Sequence, residues 1–232
     1  MPGSLFPTTR RSVVEALSSE DRIERERAFD SVAAIYWKPL YKYARIVHRR
    51  DSADAEDLTQ QIMLQALKRD TLAAYDSQRA SFRTFLRTIF DRLIANEDKR
   101  AACIKRGGAA TQVDFSVAEE ELARENENHD TPDEYFRRQW VRTLFGTAAA
   151  QCRETLDPLS FAIFEAYDLA PESDVSYAQL AQKHAVSEMT VTNRLAAARR
   201  RFREIALELV RESTASDREY EDEVRALFGI DV

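Results

Sequence analysis

Glycine and proline are scarce, five and six among 232 residues, together well under half the usual combined share of about 12%. Neither occurs between Pro39 and Gly107, nor between Pro171 and Gly229. Gaps that long suit helices and exclude a sheet that must turn every 8–12 or so residues. Five scattered glycines also cannot build a phosphate-cradling Walker loop or a dinucleotide fingerprint, which need several at fixed offsets. Only Cys103 and Cys152 are present, far apart and outside any CxxC, so free thiols in a reducing cytoplasm are expected. His48, His129 and His184 form no ligand pair at helical spacing, and no metal or other cofactor is expected. No nucleophile–base or carboxylate pair stands out, which argues against an enzyme. No run approaches the roughly 18 apolar residues of a membrane helix. The opening MPGSLFPTTRRS lacks the apolar centre of a secretory signal, so the expected location is cytoplasmic, without membrane insertion.

What the sequence does contain is enough apolar material for a core, 44%, together with 32% charge and a mean hydropathy of −0.49. The net charge of −6 is unevenly spread. From Arg79 to Arg106 eight basic residues face three acidic ones, and from Lys183 to Arg211 seven face three. Between Asp114 and Glu134 nine acids face one arginine, and from Glu212 to Val232 seven acids face two. Alternating blocks of opposite sign hint at surfaces that meet a polyanion.

Apolar spacing lays out a series of helices. Phe29, Val32, Tyr36, Leu40, Tyr43 and Val47 step by three and four, with Pro39 expected to bend or split their helix. In DSADAEDLTQQIMLQALKR the inward stripe is Ala55, Leu58, Ile62 and Ala66. SFRTFLRTIFDRLIANEDKRAACIKR follows, with Ser81 as N-cap and Phe82, Phe85, Ile89 and Leu93 facing in. Past Gly107-Gly108 the chain reads as an acidic flexible linker. Asp133 then opens a helix carrying Phe136, Trp140, Leu144 and Ala148, and Asp157 caps another with Pro158 at its first position. Val191, Leu195, Ala198, Phe202, Ile205 and Leu209 mark a long last stripe. The expected fold is all-α, two small helical domains over 25–106 and 133–211. They are joined by an acidic linker over 107–132 and flanked by extensions over 1–24 and 212–232.

Two segments carry chemistry. Ser176 to Leu195 gives a helix of about eight residues, a short turn and a second helix opening on Ser187, the helix-turn-helix pattern. Ala181 is small where the helices cross, and Val186 and Val191 fill the angle between them. Glu188, Thr192 and Asn193 point away from the apolar stripe, while Arg194, Arg199, Arg200 and Arg203 are placed for phosphates. An ordinary helical hairpin would account for the same pattern. In DAEDLTQQIMLQAL, Asp57, Gln60, Gln61 and Leu64 share the outward side, a poor solvated face and a reasonable docking one. Leu64 as a simple rim residue is the other reading.

DAEDLTQQIMLQAL resembles the helix by which bacterial sigma factors bind core RNA polymerase, usually written DAEDLxQExFL. SFRTFLRTIFDRLI, next in order, resembles the promoter-melting helix. SYAQLAQKHAVSEMTVTNRLAAARRR resembles the final helix-turn-helix of the same family. The three motifs in this order, spanning about 25 to 211, are similar to the extracytoplasmic-function group of the sigma-70 family, which keeps only conserved regions two and four. The resemblance implies a non-enzymatic factor that binds core RNA polymerase and promoter DNA, with an anti-sigma factor or other regulator as a further partner of such proteins. It implies that Asp54, Glu56, Asp57, Gln60, Gln61 and Leu64 dock on the polymerase. The loop Tyr75 to Ser81, with Tyr75, Arg79 and Ser81, would capture a base flipped from the proximal promoter element, beside Arg83, Phe85 and Arg87. An aromatic at helical spacing is usually core, and that is the other reading of Phe85. Ser187, Glu188, Thr190, Thr192, Asn193, Arg194, Arg199 and Arg200 would meet the distal element. The chain departs from the pattern at Phe85, where tryptophan is usual, at Arg92, where asparagine is common, and at Ala185, where glycine is usual. Thr192 and Ala197 replace residues often basic in relatives. A stand-alone helix-turn-helix regulator is the alternative; it leaves DAEDLTQQIMLQAL unexplained and needs a dimerisation element.

The resemblance does not reach the C-terminal extension. Ser216 and Glu219 read as a capping box and Gly229 as the opposite cap, with Tyr220, Val224, Leu227 and Phe228 along one side. This helix is expected to pack on the second domain, or to fold over its arginines around Arg199 to Arg203.

Overall fold

In a computed structural model, residues 13–66, 69–101, 131–170 and 175–230 are described. Residues 107–130 of the expected acidic linker, Cys103 and His129 lie outside them. Among the described residues every regular element is helical, as the sparse glycine and proline imply. The chain forms two compact units, Met1–Thr143 with Val210–Val232 and Leu144–Leu209.

In the first unit, α1 (Val13–Leu17) packs on α2 (Arg22–Ile46) and buries Leu17, so part of the N-terminal extension is folded. Asp21 caps α2 by accepting the Ile23 N–H at 2.8 Å. Pro39 does not split this helix. Ile35, Tyr36, Leu40, Tyr41, Tyr43 and Ala44 are all buried around it, and tertiary packing on both sides carries the helix across the missing hydrogen bond. α3 (Ser52–Ala66) packs on α2 and on α5 (Phe82–Ala101) through Ala55, Leu58, Ile62 and Met63; α4 (Arg69–Leu72) is a single turn. Ser81 caps α5 by accepting the Thr84 N–H at 3.2 Å.

The inward stripe of α5 differs from the expected one. Phe82, Leu86, Phe90, Leu93 and Ile94 are buried, whereas Phe85 and Ile89 are half-buried. Adjacent apolar residues in FRTFLRTIF fit two registers one position apart, and periodicity alone does not choose between them.

Helix α6 (Pro132–Thr155) starts one residue before the expected Asp133. Thr131 is its cap: the Glu134 N–H donates to Thr131 Oγ1 at 3.3 Å and the Thr131 N–H to Glu134 Oε2 at 2.9 Å. Its first part belongs to the first unit, where Tyr43 meets Phe136 with ring centroids 5.5 Å apart and Lys42 Nζ donates to Gln139 at 3.2 Å. The division between units therefore falls inside α6 and again inside α9.

The second unit holds the rest of α6 and α7 (Pro158–Phe164), capped by Asp157 with Pro158 at the first position as expected. A π-helical turn follows over Glu165–Leu169, then α8 (Tyr177–His184) and most of α9 (Glu188–Ser213). Ser176 and Gln179 form a complete capping box at the start of α8. Val191, Leu195, Ala198, Ile205 and Leu209 are buried, and Phe202 is half-buried between Phe145 and Phe164.

The turn between α8 and α9 passes through Ala185 at φ 54°, ψ 44°, in the left-handed region. A β-carbon there costs up to about 1 kcal/mol. Ala185→Gly is therefore expected to raise the stability of this unit by up to about 1 kcal/mol. Chemical denaturation checks this; an unchanged or lower midpoint would mean that the turn gains nothing from glycine.

The last helix, α10 (Asp217–Phe228), runs from Ser216, which accepts the Glu219 N–H at 3.2 Å, to Gly229 at φ 65°. Only half of the expected capping box forms, because the Glu219 carboxylate is engaged elsewhere. Nor does α10 belong to the second unit: it lies in the first, against α5.

Candidate nucleic-acid interface

The outward side of α3 carries the residues expected to dock on a protein. With Ala55, Leu58 and Ile62 buried, Asp54 and Asp57 are exposed, and Glu56, Gln60 and Gln61 are half-buried. Leu64 is 65% exposed. Glu56 accepts from the Ser52 hydroxyl at 3.1 Å, and the Asp54 N–H donates to Asp51 Oδ1 at 2.8 Å, which fastens the start of the helix. All six side chains are brought onto one helix, with an apolar residue beside carboxylates and amides.

The second cluster forms at the start of α5. Tyr75, Phe82 and Phe85 meet edge-on or stacked, with centroids 5.0 to 6.1 Å apart, and Tyr36 meets the edge of Phe82 at 6.0 Å. Tyr75 donates from its hydroxyl to the Ala80 carbonyl at 3.1 Å, closing the 75–81 loop on itself. Asp76 holds the loop further, accepting the Gln78 N–H at 2.9 Å and pairing with Arg79 at 3.1 Å. Arg79 is otherwise exposed to solvent, and Ser81 is engaged as the helix cap.

Arg83 and Arg87 are not open cations. Arg83 is buried: its guanidinium pairs with Glu223 of α10 at 2.5 Å and lies 4.9 Å from the Trp140 ring centroid. Arg87 pairs with Asp91 at 2.8 Å and with Asp133 at 3.0 Å. Asp91 also accepts from the Tyr43 hydroxyl at 3.0 Å and lies 2.9 Å from His48 Nε2. Burial, ahead of the neighbouring Asp91 charge, pushes the Tyr43 hydroxyl up to about 12.

Glu219 of α10 completes the cluster. Its Oε1 accepts the Phe82 N–H at 2.8 Å; its Oε2 accepts the Ala215 N–H at 2.9 Å and the Tyr75 hydroxyl at 3.4 Å. Burial raises the Glu219 carboxyl above its ordinary range, although the two backbone donors pull it back. Burial, followed by the Glu219 charge, likewise raises Tyr75. Sequence reasoning missed Glu219 and Glu223 as partners of this cluster. Their i, i+4 spacing in an amphipathic helix was visible, but not the surface that they would meet.

The third group lies on α9. Ser187 caps the helix, accepting the Thr190 N–H at 3.1 Å, and Ser187, Glu188, Thr192, Asn193, Arg199 and Arg200 are exposed. Thr190 is half-buried, and Met189 is 75% exposed beside them, a residue the sequence reading passed over. Arg194 donates to Asp157 at 2.7 Å and to the Ser160 hydroxyl at 2.8 Å. Arg199 makes a bidentate pair with Asp168 at 2.8 and 2.9 Å and lies 5.5 Å from the Tyr167 ring centroid. These two arginines are positioned by the protein itself, and each carries an acid alongside.

Among the described residues no group of three or more His, Cys, Asp and Glu could hold a metal ion. No helix among them is long and apolar enough to cross a membrane.

Residues 35–102 match the family model for sigma-70 region 2. The match runs from the middle of α2 past the end of α5, and so includes both the α3 face and the Tyr75–Arg87 cluster. It supports a sigma factor of the sigma-70 family, and region 2 in that family binds core RNA polymerase and promoter DNA. No curated protein sequence matches the chain.

Proposed function

We propose that the protein is a sigma factor of the extracytoplasmic-function kind, acting in the cytoplasm to bring core RNA polymerase to a set of promoters and to help open them. The observation that carries this is the sigma-70 region 2 match over residues 35–102, in which an exposed acid, amide and Leu64 face on α3 precedes an aromatic and arginine cluster at the start of α5. In this reading Asp54, Glu56, Asp57, Gln60, Gln61 and Leu64 meet the polymerase. Tyr75, Arg79, Ser81, Arg83, Phe85 and Arg87 serve the melted strand of the proximal element. Aromatic rings suit it, because an unstacked base offers a face to stack on whatever its identity.

The distal element falls to α8 and α9. Ser187, Glu188, Thr190, Thr192 and Asn193 at the start of α9 are placed to read base edges, and Arg200 to meet phosphate. Arg194 and Arg199 would reach phosphate by exchanging their carboxylate partners for it. The 25–106 and 133–211 segments then divide the work as regions two and four do, and an anti-sigma factor or other regulator would act on the same surfaces.

Affinity-tagged full-length protein mixed with purified core polymerase tests this. Core polymerase is expected to co-purify with it in a stoichiometric complex. Site-specific duplex binding by the protein alone, with no retention of polymerase, would favour a stand-alone helix-turn-helix regulator and overturn the proposal.

A further inference from the structure

Helix α10 covers the same cluster that the proposed function assigns to the melted strand. Two donors suited to an anion come from neighbouring residues there: the Phe82 N–H in the first turn of α5, and the Arg83 guanidinium. Both are taken by carboxylates of one helix. Glu219 holds the Phe82 N–H and the Tyr75 hydroxyl; Glu223 holds Arg83, with Arg137 at 3.7 Å from its other oxygen. The two acids are one helical turn apart, about 6 Å between β-carbons, a separation on the scale of successive backbone phosphates. They belong to a segment, Glu212 to Val232, with seven acids and two arginines.

We propose that α10 is a built-in competitor for single-stranded DNA: Glu219 and Glu223 stand where backbone phosphates would bind, and α10 must leave before the Tyr75–Phe85 cluster can take a strand. This rests on the assignment of that cluster to the strand.

The construction of α10 suits a removable part. Tyr220 and Val224 are its buried apolar residues, while Leu227 and Phe228 are only half-buried. Ser213 and Thr214, just before it, are buried, and the Ser213 carbonyl accepts from the Tyr36 hydroxyl at 2.9 Å. The root of the segment is thus fastened to α2 independently of the two glutamates. A helix of 12 residues has little stability of its own and keeps its place through these contacts. A cap that served only to complete the core would be expected to offer apolar side chains; this one puts two carboxylates onto a cation and a helix N-terminus. Burial already disfavours the charged form of Glu219, so part of the docking is held against its own desolvation cost.

The test compares three full-length proteins for binding of a short fluorescein-labelled single-stranded deoxyoligonucleotide of mixed sequence, by fluorescence anisotropy at low salt. They are the unaltered chain, Glu219→Gln with Glu223→Gln, and Glu221→Gln with Asp222→Asn. Both variants remove two negative charges, so general electrostatics moves them alike. Only the first pair faces the cluster; Glu221 and Asp222 are exposed. The Glu219/Glu223 variant is expected to bind about tenfold tighter than the unaltered chain, within the usual range of coupling between two sites, and the control within about twofold. Equal affinities for the two variants would overturn the competition.

Hydrogen exchange on the unaltered chain gives an answer even if the variant fails to fold. Saturating oligonucleotide is expected to strip protection from α10; unchanged protection with the strand bound would overturn the proposal. If no protein binds the strand at all, the assignment of the cluster falls and the competition with it. Strand binding without displacement sinks the competition alone.

Discussion

Replacing Arg83 with alanine is expected to destabilise the first unit by roughly 3–5 kcal/mol, the usual result of stripping one partner from a buried ion pair. The Arg83 and Glu223 side chains are only 10% and 9% exposed, so solvent cannot replace the missing guanidinium. The variant also gives up the cation–π interaction with Trp140 at 4.9 Å. The cost comes chiefly from a buried carboxylate that keeps only Arg137, at 3.7 Å, as a cation, not from the attraction itself. Arg83→Met with Glu223→Leu should therefore recover most of the loss, since an apolar pair of similar size removes both charges together. Urea denaturation of the three proteins reads this directly. An Arg83→Ala midpoint equal to that of the unaltered chain would show that the pair is not buried as described.

Reversing one charge on α3 should have the largest effect on partner binding. Asp57→Arg with Gln60→Ala is expected to weaken binding to core polymerase by roughly 30-fold or more, about 2 kcal/mol or above, as when one partner of an interfacial charge pair is removed. The fold should survive. Asp57 is exposed, and α3 is held through Ala55, Leu58 and Ile62 on the other side. A folded double variant that kept normal affinity for polymerase would remove the docking role from this face.

Much of the fold could be read because its rules are local. The all-helical class followed from where glycine and proline do not occur, and the caps at Ser81, Asp157, Ser187 and Ser216 from short-range hydrogen-bond chemistry. The α3 stripe came out as its spacing implied, with Ala55, Leu58 and Ile62 buried. The α5 stripe did not: Phe85-Leu86 and Ile89-Phe90 are adjacent apolar pairs, and packing against other elements decides which member turns inward. Pro39 does not split α2 for the same reason, a buried shell on both sides of it.

The site was legible as a set of residues but not as a state. Tyr75, Ser81, Arg83 and Phe85 do come together. That Arg83 is buried and paired depends on Glu223, 140 residues further along the chain. No pattern in either segment announces the other. The acidic character of the C-terminal helix was visible and prompted, beside plain packing on the second domain, the reading of a basic surface beneath it around Arg199 to Arg203; Glu219 and Glu223 meet Phe82 and Arg83 instead. Charge complementarity specifies a sign, and the sequence offers two basic blocks that satisfy it.

Whether the protein selects promoters for RNA polymerase can be read by mapping the 5′ ends of transcripts that core polymerase makes on genomic DNA with and without the purified protein. A discrete set of start sites is expected, appearing only with the protein and sharing two upstream sequence elements. These sites should disappear with the Asp57→Arg, Gln60→Ala variant. The same diffuse transcripts in the presence and absence of the protein would contradict promoter selection.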